Sequence, residues 1–114
     1  SILAAALDYE QDAIKFFEFA TRMDLDDFNK NTMEGLHMTS IAAAWMNIVY
    51  GYGGLRSDSE KITICPKIPE IWSEYSFKIN IKNKNYKITV NHNQAFVDDG
   101  NLTIKIPLGK TYAV

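Results

Sequence analysis

The chain has 114 residues, of which 46% are hydrophobic, 12% aromatic and 23% charged, with a formal net charge of −2. That length allows one ordinary domain or two small pieces, and the composition is that of a folded chain, not a disordered or collagen-like one. A charge this close to zero offers no basic field for nucleic acid, and one cysteine, Cys65, cannot build an internal disulfide framework.

Residues 1–7 are apolar but lack a basic flank and are too short for a signal peptide or a membrane span. They read as the tail of an earlier helix. The chain opens without methionine inside this stretch, so a piece of a longer protein is expected. Residues 9–22 predict an amphipathic helix, with Asp8 as N-cap and Gln11 completing a capping-box pattern. Ile14, Phe17 and Thr21 share one stripe; Phe16, Phe19, Ala20 and Met23 line the next. So wide an apolar face needs more partner surface than one companion helix supplies. Residues 24–36 form a polar connection, long enough to suggest a functional role. A second helix is expected over 39–51, capped by Thr39 or Ser40 and stopped by the glycines at 51, 53 and 54.

Beyond residue 60 the hydrophobic period becomes two. Ile62 and Ile64, then Phe77, Ile79 and Ile81, then Tyr86, Ile88 and Val90, then Leu102, Ile104 and Ile106 alternate with polar residues. Asn83-Lys84-Asn85 reads as a tight hairpin loop and Asp98-Asp99-Gly100-Asn101 as a second turn. Phe96-Val97 and Tyr112 to Val114 add short strands, giving five or six antiparallel strands with one apolar face. The lysines at 78, 82, 87 and 105 fall on the solvated face. The halves also differ in charge: residues 1–57 carry eight acidic and four basic side chains, and 58–114 carry six and eight. The expected fold class is α+β, with helices over 1–57 followed by a small antiparallel β domain over 58–114.

The densest chemistry is Glu34-Gly35-Leu36-His37-Met38-Thr39-Ser40, at the predicted start of a helix. Helix N-termini carry unpaired N–H groups and the positive end of the macrodipole, and an imidazole and two hydroxyls add donors for an anion. The plain alternative is that Thr39 or Ser40 only caps the helix and His37 is a packed loop residue. His92, in Asn91-His92-Asn93, has no second His or Cys nearby, so no metal site is expected. Trp72 and Tyr75 read as packing residues or as sugar platforms, Trp45, Met46 and Tyr50 as core, and Cys65 as a buried small residue.

The run Gly35 to Ala42, continued by Trp45 and by Gly51-Tyr52-Gly53-Gly54-Leu55-Arg56, resembles the end of the catalytic domain of glycoside hydrolase family 65, the family of maltose, trehalose and kojibiose phosphorylases. Ala20 to Asp27 resembles the linking stretch of those enzymes, and Ile64 to Asn80 the start of their C-terminal β domain. Ala42-Ala43-Ala44-Trp45 departs from the family's usual Ala-Gly-Thr-Trp. The resemblance implies that residues 1–57 are the last helices of an (α/α)6 barrel. It implies an inverting phosphorolysis, in which maltose or a related α-glucosyl disaccharide and phosphate give β-glucose 1-phosphate and a free sugar. Phosphate is then the substrate and no cofactor is required. His37, Thr39 and Ser40 match the family's phosphate-binding loop. The general acid is expected upstream, with Glu34 as a loop residue. The remaining expectations are a cytoplasmic homodimer, with the rest of the barrel as structural partner and neither membrane nor nucleic acid as partner. The rivals are a trehalase-like hydrolase on the same scaffold and a β module that is structural or carbohydrate-binding.

Overall fold

A computed structural model describes residues 1–57 and 61–114. The chain divides into two compact units, Ser1–Gly51 and Tyr52–Val114. The boundary expected between residues 57 and 58 abuts residues 58–60, which lie outside the described residues.

The first unit is helical. α1 spans Ile2–Ala6, α2 Glu10–Arg22 and α3 Met38–Met46. A single 3-10 turn covers Thr32–Glu34, and α3 runs on as a wider π turn over Asn47–Tyr52. Asp8 does not cap α2: it adopts φ +63 to reverse the chain between α1 and α2, and Tyr9 takes the N-cap position. Aspartate is among the few residues that enter the left-handed region at low cost. Glu10 and Asp12 still place negative charge on the first turn, where the macrodipole favours it. Ala13 is fully buried, and the Ser1 hydroxyl donates to its carbonyl at 3.1 Å. Thr21 returns its hydroxyl to the carbonyls of Phe17 and Glu18, so it is a satisfied helix residue, not part of an apolar stripe.

The broad apolar face stays largely uncovered. Phe16, Phe19, Leu25, Phe28, Ile41, Trp45 and Met46 are all exposed. Phe19 and Phe28 meet edge to face at 5.0 Å, and Trp45 and Tyr50 at 6.1 Å. Trp45 and Met46, expected in a core, are not covered by this chain. Gly51 does not stop the helix either. It lies within the π turn, where a Cβ would approach the Ile2 Cα at 3.5 Å, an ordinary contact. The chain leaves the helical path only at Gly53-Gly54.

The second unit is all β. β1 (Thr63–Ile64) pairs with β6 (Tyr112–Ala113), while β2 (Glu74–Ile81), β3 (Lys84–Asn91), β4 (Ala95–Asp98) and β5 (Thr103–Ile106) form a four-stranded antiparallel meander. Register follows the alternation. Tyr75 faces Val90 and Phe77 faces Ile88; Ile88 and Val90 then face Val97 and Ala95, and Ala95 faces Ile106. These seven side chains form the buried face. Lys78, Lys87 and Lys105 alternate outward and are exposed. The β2–β3 turn is Lys82-Asn83, not Asn83-Lys84-Asn85. Both residues have positive φ, +49 and +64, as a two-residue type I′ turn requires, and Lys84 already pairs with Ile81. Leu102 is exposed outside β5, because the Asp99 carboxylate accepts from the N–H groups of Asn101 and Leu102 and prolongs the turn.

Candidate functional site

The site lies in the first unit, where the connection after α2 meets the start of α3. Two carboxylates organise that connection. Asp27, itself at φ +47, accepts from the N–H of Thr32 at 3.1 Å and from its hydroxyl at 2.8 Å. Those bonds hold the Asp27 carboxyl below the usual carboxylate range. Gly35, at φ +134, then turns the chain toward α3.

His37 is the N-cap residue of α3, and its side chain caps nothing. Its ring turns instead to Asp24, thirteen positions earlier. The Nδ1···Oδ1 distance is 2.5 Å, and the backbone N–H of His37 donates to Asp24 Oδ2 at 2.8 Å. A carboxylate can only accept, so Nδ1 carries the proton. Nε2 points toward the Asn29 amide at 3.5 Å. The hydrogen bond from the His37 ring is the main cause holding the Asp24 carboxyl low; desolvation opposes it, and the backbone bond and charge of His37 add to the lowering. Asp24 and His37 are both half-buried, with side chains 13% and 28% exposed, so the pair is shielded yet reachable.

Thr39 and Ser40, expected as caps, occupy the first turn of α3 instead. Thr39 is exposed. Ser40 is half-buried and its hydroxyl donates to the Met23 thioether at 3.1 Å, a weak acceptor. The N–H groups of Ser40 and Ile41 turn back to the His37 carbonyl. The N–H groups of Met38 and Thr39, in the first turn of α3, have no intrahelical carbonyl to bond. An imidazole, two hydroxyls and the first amides of a helix thus belong to one short segment, donor types that suit a tetrahedral anion. Glu34 is exposed in the 3-10 turn. Asp24, Met23 and Asn29 were not legible as site residues, because each reaches the site through the folding of the connection and not by spacing.

The remaining candidates have structural partners within the second unit. Trp72 meets Tyr52 at 4.8 Å and Tyr75 at 5.9 Å, and Tyr75 stacks on Phe77 at 6.3 Å. The Tyr75 hydroxyl donates to the Lys67 carbonyl at 2.8 Å, and burial pushes its ionisation well above the ordinary tyrosine range. The exposed His92 ring donates to the Trp72 carbonyl at 2.7 Å through Nε2. Cys65 is half-exposed, not buried as its sequence context suggested. Among the described residues no helix is long and apolar enough to cross a membrane.

Comparison with known proteins places these elements. The central catalytic domain of glycosyl hydrolase family 65 matches residues 1–46, and the C-terminal domain of the same family matches residues 55–111. The chain is 39% identical over 98 residues to the maltose phosphorylase of Bacillus subtilis strain 168, covering 86% of this chain and 13% of that protein. It is 38% identical over 91 residues to the α,α-trehalose phosphorylase of Thermoanaerobacter brockii, covering 78% of this chain and 12% of that protein. A solved structure from the human microbiome, provisionally named a kojibiose phosphorylase, superposes with a TM-score of 0.84 at 45% identity, over 99% of this chain and 17% of its own. The chain therefore spans about an eighth of the length of the curated relatives it matches.

Proposed function

Because this chain belongs to glycosyl hydrolase family 65, we propose that it is the C-terminal part of an inverting disaccharide phosphorylase. The substrate is maltose or a related α-glucosyl disaccharide, and the products are β-glucose 1-phosphate and the released sugar. Phosphate oxygen attacks the anomeric carbon as the glycosidic bond breaks, and an acidic residue outside this chain protonates the leaving oxygen. Phosphate takes the place that water holds in an inverting hydrolase. His37, Thr39 and Ser40 hold the phosphate. The observation that carries this reading is the placement of all three residues at the start of α3, with His37 an N-cap residue whose side chain caps nothing.

The exposed apolar face of the first unit fits the same reading. Patches of this size are covered in a working protein, and here the rest of an (α/α)6 barrel covers it. Residues 1–57 are then the closing helices of that barrel and 58–114 its β domain. The working enzyme is a cytoplasmic homodimer that uses phosphate as substrate and needs no cofactor.

The test is phosphate dependence of the full-length enzyme. Maltose, trehalose and kojibiose are each supplied with and without inorganic phosphate, and glucose 1-phosphate is measured. Product that requires phosphate is expected. Glucose release without phosphate would instead select the trehalase-like hydrolase, a rival that the Asp24–His37 pair keeps in view, since a carboxylate-backed imidazole can also serve as a base. His37→Ala removes one charge-assisted hydrogen bond, typically about 1.5–3 kcal/mol, so the KM for phosphate should rise roughly 10- to 100-fold.

A further inference from the structure

The paired acceptance by Asp24 goes beyond locating a phosphate, and it rests on the phosphorylase reading above. We propose that Asp24 is a positioning residue for phosphate: its carboxylate grips both the backbone and the ring of His37, so that the ring offers a protonated Nε2 to the bound anion.

The geometry separates two jobs. The bond from the His37 N–H to Oδ2, at 2.8 Å, fixes where the chain enters α3. The bond between Nδ1 and Oδ1, at 2.5 Å, fixes the rotation of the ring. Together they leave one rotamer of His37. Nδ1 is committed to Asp24, so a ligand must approach Nε2, where it replaces the Asn29 amide 3.5 Å away. Where an unprotonated phosphate oxygen faces Nε2, the proton of the Nε2···O bond comes from the ring, which is then an imidazolium. Its positive charge is matched by the adjacent carboxylate, and the pair as a whole is neutral.

Neutrality matters because Asp24 would otherwise harm the site. A bare carboxylate beside a bound phosphate repels it, and partial burial weakens the screening of that repulsion. The arrangement helps phosphate only if the orientation and charge it confers on His37 outweigh the repulsion. Two opposite outcomes follow for Asp24→Asn, which keeps the shape and removes the charge. If Asp24 acts only as a nearby negative charge, the variant binds phosphate more tightly. If it positions His37, the variant binds phosphate more weakly, since an amide offers one acceptor atom where two bonds must be met.

The experiment is steady-state kinetics on the full-length enzyme as wild type, Asp24→Asn, His37→Ala and the double variant, with phosphate and disaccharide varied separately. Positioning predicts that Asp24→Asn raises the KM for phosphate roughly 10-fold or more with little change in the KM for disaccharide. It also predicts that Asp24→Asn adds almost nothing in the His37→Ala background, because residues acting through one another are not additive. An unchanged or lowered KM for phosphate, or full additivity in the double variant, overturns the proposal while leaving the phosphorylase reading intact. A wild-type enzyme that needs no phosphate overturns that reading itself, and this proposal with it. Should Asp24→Asn fail to fold, nitrogen-15 NMR of labelled histidine in the unmodified enzyme decides. Nδ1 should be protonated throughout, and Nε2 should be protonated when inorganic phosphate is bound; a bare Nδ1 overturns the proposal.

Discussion

Gly54 is the position where a single methyl group should do the most damage. It sits at φ +62, and a Cβ there would stand 2.5 Å from the carbonyl oxygen of Cys65 and 2.9 Å from its carbonyl carbon and amide nitrogen. The approach is close because two backbone segments are zipped together. Cys65 N–H donates to the Gly53 carbonyl at 3.1 Å, Lys67 N–H to that of Tyr52 at 2.8 Å, and Arg56 and Thr63 exchange two bonds of 2.8 and 3.0 Å. Gly109 provides the control, with φ +67 and no atom within 4 Å of its hypothetical Cβ. The left-handed conformation alone costs an L-residue about 1–2 kcal/mol. Forcing atoms into a packed region adds about 1–3 kcal/mol, and here no rotamer change can relieve it, since backbone meets backbone. Gly109→Ala should therefore cost about 1–2 kcal/mol and Gly54→Ala about 2–5 kcal/mol. A small unit is held by only roughly 0.05–0.15 kcal/mol per residue, so the second loss is a large share of the total. Urea denaturation followed by Trp72 fluorescence in a Trp45→Phe background reports the β unit. Equal midpoints for the two variants would refute the argument, because the left-handed penalty would then be the whole effect.

Three further outcomes follow from the β unit. Replacing Lys82-Asn83 by Asn-Gly places residues suited to positive φ at both turn positions, and the denaturation midpoint should rise by an amount equivalent to about 0.5–1 kcal/mol. Ile88 is fully buried between Phe77 and Val97 across the sheet, so Ile88→Ala should cost about 2–5 kcal/mol by the same assay. Backbone bonds from Asn101 and Leu102 hold the Asp99 carboxyl below its ordinary value. A lowered folded value means stability that is present above the unfolded aspartate pKa, near about pH 4, and lost as pH falls through the folded one. Asp99→Asn should flatten the loss of stability between about pH 4 and more acid conditions, and an unchanged pH profile would count against the turn geometry.

Much of the β unit was legible because burial on one face forces a period of two, and that period survives in the residue order of β2, β3 and β5. Its errors fall where polar side chains override local habit. Lys82 carries no sequence signal for positive φ, yet it takes φ +49 because Ile81 and Lys84 must pair for the alternation to hold. Leu102 continues the apolar pattern but is drawn out of β5 by Asp99. In the helical unit the periodicity identified α2 and α3, whereas the caps were misplaced. Asp8 looked like a cap and instead supplied the turn, since the property that suits aspartate to capping also lets it enter the left-handed region.

The misreading of the α3 cap bears directly on the site. Thr39 and Ser40 were natural cap candidates because short hydroxyl side chains usually satisfy the first amides of a helix. Here the helix begins one residue earlier, and the N-cap amide is met by Asp24 from thirteen positions away. No local rule reveals a partner at that separation, because it depends on how the connection after α2 folds. Because α3 already begins at Met38, Thr39 and Ser40 lie within its first turn and neither hydroxyl caps it. Had either residue capped α3, its oxygen would be turned inward to the backbone. Thr39 is instead exposed, and Ser40 is committed only to the weakly accepting sulfur of Met23. In the proposed phosphate site Ser40 would exchange that bond for one to a charged oxygen, and hydrogen bonds to ionised groups are roughly twice as strong as neutral ones.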